Sequence, residues 1–155
     1  MVSTTQTNPL DDMEKAFKES MAYFEGSGSE SKAKVGQWGP KETIAHFIFF
    51  YNKNIEGMEK VSRGGKPAIL LEPPFKDVDE ANAATVSRYA GKSLAEVAAE
   101  VRQAHQKMLK AARTMKSLDV PIVVRPNGEA QTAGARMQLM ANHWRNHVKE
   151  LKAAS

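Results

Sequence analysis

The sequence predicts an all-α fold, a four-helix bundle with a long crossover between the second and third helices. Apolar residues recur at three- and four-residue steps in four separate segments, the spacing that lines one face of a helix. Between the second and third of these, "SRGGKPAILLEPPFKD" is too rich in Gly and Pro for a regular element and is expected to cross over the bundle. No stretch makes a convincing sheet.

The first helix is signalled by a cap at Asn8, by Pro9 in its first turn, and by Asp11 and Asp12 at the positive end of its dipole. Leu10, Met13, Phe17, Met21 and Phe24 form its apolar stripe, and Gly26 ends it. The second helix opens at Gly39-Pro40. Ile44, Phe47, Ile48, Tyr51, Ile55 and Met58 make its buried face, with His46, Phe50 and Gly57 along one margin. Its "HFIFFY" stretch is apolar almost all the way round, so it needs cover on a second side from a loop or a second copy.

"VDEANAATVSRY" supports a helical turn or two. Ser93 and Glu96 then make a capping box for the third long helix. There Leu94, Val97, Val101, Ala104, Met108, Ala111, Met115 and Leu118 keep a seven-residue repeat suited to side-by-side packing. "DVPIVVRPNGEAQT" is an extended linker with a Pro-Asn-Gly turn and room for a short hairpin. The last helix starts near Thr132 and points Met137, Met140, Trp144, Val148 and Leu151 inward.

At 155 residues the chain suits one domain, 1–155, with residues 1–8 expected to be disordered. The absence of cysteine excludes disulfides, thiolate metal sites and a cysteine nucleophile; it also fits a cytoplasmic setting. The first residues have neither a basic start nor an apolar run, so no signal peptide is expected. No apolar run reaches membrane-spanning length. A net charge of +4 is mild. The nearest approach to a basic cluster, Arg145, Lys149 and Lys152, is read as a solvated face in the favourable last turns of a helix. Nucleic acid is therefore not the expected partner.

The chemistry lies in the histidines. His143 and His147, in "NHWRNHVKEL", are four residues apart and so one turn apart on one side of a helix. That spacing is competent for zinc or a similar ion. Trp144 occupies the place of the catalytic Glu of an H-E-x-x-H protease, which excludes that activity. His46 lies at the margin of another helix. If the two margins meet, three imidazoles converge in a cleft with coordination positions left open, as in a catalytic rather than a structural metal site. The bland reading is two polar residues sharing a helix. His105, among polar neighbours in "RQAHQK", is read as a surface or boundary residue. Trp38 and Trp144 are taken as packing anchors.

Three stretches together resemble a known family. "WGPKETIAHF", "VDEAN" followed by "SLAEV", and "HWRNH" are similar to motifs of the DinB/YfiT-like superfamily. The resemblance implies a four-helix bundle, often dimeric, that binds zinc or nickel through three histidines; the matching positions are His46, His143 and His147. Zinc is the favoured ion, and a homodimer the expected assembly. Family activities include transferases and isomerases that use low-molecular-weight bacterial thiols, and hydrolases. Asp79 and Asn82 fall in the middle motif, where they could orient a ligand or a metal-bound water. The favoured alternative is that Asp79 caps the short helix and Asn82 bonds locally.

These observations imply a divalent-metal-dependent enzyme of thiol S-transferase or hydrolase type, acting on a small reactive compound with a possible thiol cosubstrate. The alternative is a non-catalytic small-molecule-binding or resistance protein on the same bundle. It draws on the lack of any Glu or Asp beside the histidine pair.

Overall fold

The computed structural model describes residues 8–29 and 31–154. Among them run five helices: α1 (Pro9–Glu25), α2 (Pro40–Ser62), α3 (Val78–Arg88), α4 (Leu94–Thr114) and α5 (Ala133–Ala154). Three short strands accompany them, β1 (Ala68–Ile69), β2 (Pro121–Val124) and β3 (Ala130–Thr132). The four long helices pack α2 on α4, α1 on α5, α2 on α5 and α1 on α4. The expected all-α class is thus corrected: the chain is mostly helical with a small three-stranded sheet. The expected disorder of residues 1–8 falls outside the described residues except at Asn8, whose side chain accepts the Leu10 N–H at 2.8 Å and caps α1.

The sheet forms from segments that look irregular in sequence. β1 runs parallel to β2, pairing Ala68 with Val123 and Ile69 with Val124, and β3 returns antiparallel to β2. The hairpin closes around Pro126-Asn127-Gly128. There the Arg125 N–H donates to the Glu129 carbonyl at 2.8 Å and Gly128 adopts φ +87°, a conformation open to glycine and costly for other residues. The sheet lies against α2, with Ile122 and Val123 fully buried. Contacts from α3, α4, α5, β1 and β2 surround α2, so much of the cover that "HFIFFY" requires comes from within the chain.

A buried polar chain crosses the centre of the core. Trp144 stacks face to face on Phe47, with ring centroids 3.7 Å apart. Its indole N–H donates to the Tyr51 oxygen at 3.2 Å, and the Tyr51 hydroxyl reaches His105 Nδ1 at 2.9 Å. His105 is only 3% exposed and stacks on Phe17 at 3.7 Å. The expectation of a surface or boundary His105 is therefore corrected: the ring is in the core. The seven-residue repeat placed Ala104 inward and extended the helix to Leu118. The buried face in fact runs Val97, Val101, His105, Met108 and Ala112, and α4 ends at Thr114. An imidazole is tolerated at this depth because one ring nitrogen has a buried hydroxyl partner and one ring face has an aromatic neighbour.

Tyr51→Phe is expected to cost about 2–6 kcal/mol although it deletes a single oxygen. It strands two buried polar groups at once, the Trp144 N–H and His105 Nδ1, each worth about 1–3 kcal/mol when left unpaired. Urea unfolding of the variant measures the loss; a change under 1 kcal/mol contradicts the bridging role.

His105 also makes stability depend on pH. Burial, then the charges of Arg102, Arg113 and Lys18, draw its pKa from 6.5 down to about 4. Between those values the unfolded chain binds the proton that the folded chain refuses, so stability is full above pH 6.5 and falls as pH drops towards 4. Each tenfold difference in proton affinity is worth about 1.4 kcal/mol. The stability lost between pH 7 and pH 4.5 is therefore expected to be about 2–3 kcal/mol smaller in His105→Gln than in the native chain. Unfolding curves at the two pH values check this, and parallel losses refute it.

Charge also fastens α1 to α5. Arg145 donates to both carboxylate oxygens of Asp12, at 3.0 and 2.6 Å, and Gln138 adds a bond at 2.9 Å. The Arg145 hydrogen bond chiefly holds the Asp12 pKa down, to about 2. Arg145 is thus an inter-helix clasp rather than part of a solvated basic face, and Lys152 lies over the Tyr23 ring.

Candidate metal centre

His46 is fixed by the way α2 begins. Pro40 opens the helix, and Glu42 turns back to accept the Gly39 N–H at 2.9 Å. One turn on, His46 Nδ1–H donates to the Thr43 carbonyl. That bond assigns the proton to Nδ1 and leaves the Nε2 lone pair facing inward. The ring is walled by Trp38, Phe47 and Phe50, with centroids 5.0, 4.5 and 5.9 Å away. Trp38 is therefore a packing residue, as expected, and the ring it packs is a histidine.

α5 brings the other two rings to the same point. His143 Nε2 lies 3.3 Å from His46 Nε2 and 2.8 Å from His147 Nε2. One ligand atom from each of the three residues falls within 4.8 Å of the others, so the group could hold a metal ion. For ligands at about 2.0–2.1 Å, tetrahedral coordination separates donor nitrogens by about 3.3 Å, and a right-angle arrangement by about 2.9 Å. The 3.3 Å separation equals the first value and the 2.8 Å separation lies close to the second. His147 Nδ1 stands 3.3 Å from Glu150 Oε1, an acceptor that favours the proton on Nδ1 and the lone pair on Nε2. This corrects the view that no carboxylate sits beside the histidine pair. Glu150 faces the Nδ1 side of His147, opposite the converging Nε2 atoms.

The electrostatics favour neutral rings. Burial, followed by the nearness of His143 and His147, draws the His46 pKa down to about 3. Burial, then His147 and Arg136, draws His143 down to about 4. His147 is lowered by burial and partly restored by Glu150. At pH 7 all three rings are held neutral, the charge state a metal requires.

A cavity of about 320 Å³ opens beside His143, lined also by Phe50, Asn54, Arg136, Leu139, Met140, Asn142 and Asn146. Its walls are mainly apolar, with a few polar groups and no carboxylate, a pattern typical of small-molecule sites. Arg136 was not singled out in the sequence. It lies seven residues before His143, two turns back on the same face, and projecting that face would have found it. It is 7% exposed, and it donates to Asn54 Oδ1 at 3.0 Å and to Gln131 Oε1 at 2.8 Å.

The middle motif behaves otherwise than expected. Asp77, not Asp79, caps α3, accepting the Glu80 N–H at 2.8 Å. Asp79 is exposed. Asn82 is buried, and its Oδ1 has no hydrogen-bond partner among the described residues. Neither residue lines the cavity.

Among the described residues no helix is long and apolar enough to cross a membrane. No curated protein matches the sequence. Among solved structures, the crystal structure of the mycothiol-dependent maleylpyruvate isomerase superposes with a TM-score of 0.71 at 11% identity, over 92% of this chain. A histidine-to-alanine mutant of that isomerase gives 0.71 at 10% identity. The chain spans 59% of the isomerase's length. A protein from Streptococcus pneumoniae gives 0.69 at 16% identity, over 99% of this chain and 94% of that one. At such identities the likeness is one of fold. A family model described as the DinB superfamily matches residues 10–151, and the chain belongs to that superfamily.

Proposed function

We propose that this protein is a divalent-metal-dependent enzyme, of thiol S-transferase or hydrolase type, with His46, His143 and His147 as its metal ligands. The carrying observation is the convergence of three ring nitrogens held neutral by burial, with the His46 lone pair set by the Thr43 carbonyl at its opposite nitrogen. Zinc is favoured over nickel, since three nitrogens leaving an open position form a usual catalytic zinc set. When bound, the ion lowers the pKa of a coordinated water or thiol and acts as a Lewis acid. The residues of the chain do the rest. Thr43 orients the His46 ring, the Trp38–Phe47–Phe50 wall excludes water, and the cavity beside His143 receives the small reactive compound.

Thiol chemistry draws support from the isomerase of similar fold, which depends on mycothiol. A cytoplasmic setting, where such thiols stay reduced, fits the same proposal. The packing of α1, α2, α4 and α5 supports a four-helix bundle carrying α3 and the sheet on its connections. A homodimer is the proposed assembly, favoured by exposed Ile69 and Leu139; a light-scattering mass of one chain contradicts it.

The second reading, binding without turnover, draws on the lack of any carboxylate lining the cavity. The deciding experiment takes tag-free protein through elemental analysis and then follows loss of a low-molecular-weight thiol against a panel of small electrophiles. One equivalent of metal with metal-dependent turnover is expected. Metal without turnover favours the binding protein, and no metal after reconstitution removes the metal-dependent enzyme.

A further inference from the structure

Arg136 carries a charge that the fold does not neutralise. Its guanidinium has five N–H donors, of which Asn54 and Gln131 each take one through neutral amide oxygens. Among the described residues no carboxylate pairs with it. Burial, then Arg125, lowers its pKa to about 10, which leaves it a cation at pH 7. A buried cation without a counter-charge is costly, and its remaining donors belong to a side chain that lines the cavity.

We infer that Arg136 is the anchor for a carboxylate on the substrate, so that the cavity selects small anionic compounds with an apolar body. Guanidinium and carboxylate match as paired donors and acceptors, and such bonds are about twice as strong as neutral ones. Arg136 and His143 are seven residues apart on one face of α5, about 10 Å along the helix. A carboxylate held at Arg136 lays a short carbon chain along Phe50, Leu139 and Met140 and presents its far end at His143. The inference rests on the proposed metal site for what happens at that far end, and on Arg136 alone for the anion.

The probes are hexanoate and its neutral isostere hexanamide, titrated by NMR into the full chain, both metal-free and zinc-loaded. Metal-free protein is expected to bind hexanoate at least about tenfold more tightly than hexanamide, with shifts in the Arg136 side chain. Leu139 is exposed at the cavity edge, one turn from Arg136. Leu139→Glu places a competing carboxylate there and is expected to bind hexanoate about tenfold more weakly than Leu139→Gln, which removes the same apolar surface without adding a charge. Arg136→Gln abolishes the preference and Arg136→Lys retains part of it; should Arg136→Gln fail to fold, the Leu139 pair decides. Equal binding of the two probes, or equal behaviour of the two Leu139 variants, overturns the inference. Hexanoate binding only to zinc-loaded protein, insensitive to Leu139→Glu, also overturns the anchor while leaving the metal site standing. The preference in metal-free protein that takes up no zinc upholds the anchor and removes the metal site.

Discussion

His46→Ala is expected to weaken zinc binding by at least a factor of about one hundred while the helices stay folded. Loss of a group that merely orients a ligand costs about 10- to 100-fold in metal affinity, and His46 is proposed as a ligand itself. It is also the one member of the triad that reaches the site from α2, so its removal leaves two donors on a single turn of α5. The fold tolerates the change because the ring is walled by Trp38, Phe47 and Phe50, which remain. Competition against a chromophoric chelator measures the affinity, and circular dichroism the fold. His105→Gln is the control, since His105 points to Tyr51 on another part of the core; it should bind zinc as the native chain does. Unchanged affinity in His46→Ala, or equal losses in both variants, contradicts the assignment.

Gly57→Ala sets two effects of opposite sign against each other. Helix propensity alone favours alanine by about 1 kcal/mol. Packing opposes it: a Cβ at Gly57 would stand 2.0 Å from the Ile122 carbonyl oxygen and 2.8 Å from its carbon. Both are backbone atoms of β2, so no side chain can swing aside, and α2 and the sheet must separate. Overpacking typically costs about 1–3 kcal/mol even where side chains yield. A net destabilisation above about 2 kcal/mol is therefore expected, read from the urea midpoint. A variant as stable as the native chain shows that α2 and β2 are not in the contact described.

Gly57 illustrates what was legible in the sequence. Its place on the margin of α2 followed from helical projection, but the reason for glycine did not. That reason is a strand more than sixty residues further along the chain. β1 was missed on the same ground, being two residues long and paired in parallel with a distant partner. The long helices were legible because caps and apolar spacing act locally: Asn8, Pro40 and the Ser93–Glu96 box all stand where they were expected.

Within the site, the three histidines were legible from spacing and resemblance together. The role of Arg136, whose place on the His143 face projection does give, and that of Glu150 were not. Their roles depend on burial and on which way a charged side chain turns, and single-residue patterns do not record either. His105 was misjudged because its sequence neighbours are polar, although Val101 and Met108 one turn to either side carried the contrary signal.

The account turns on three imidazoles sharing one cation. X-ray absorption on tag-free, zinc-loaded protein tests this most directly. Three imidazole nitrogens at about 2.0–2.1 Å with a lighter remaining shell are predicted. A zinc shell without imidazole scattering, or protein that loses all zinc on desalting, contradicts it.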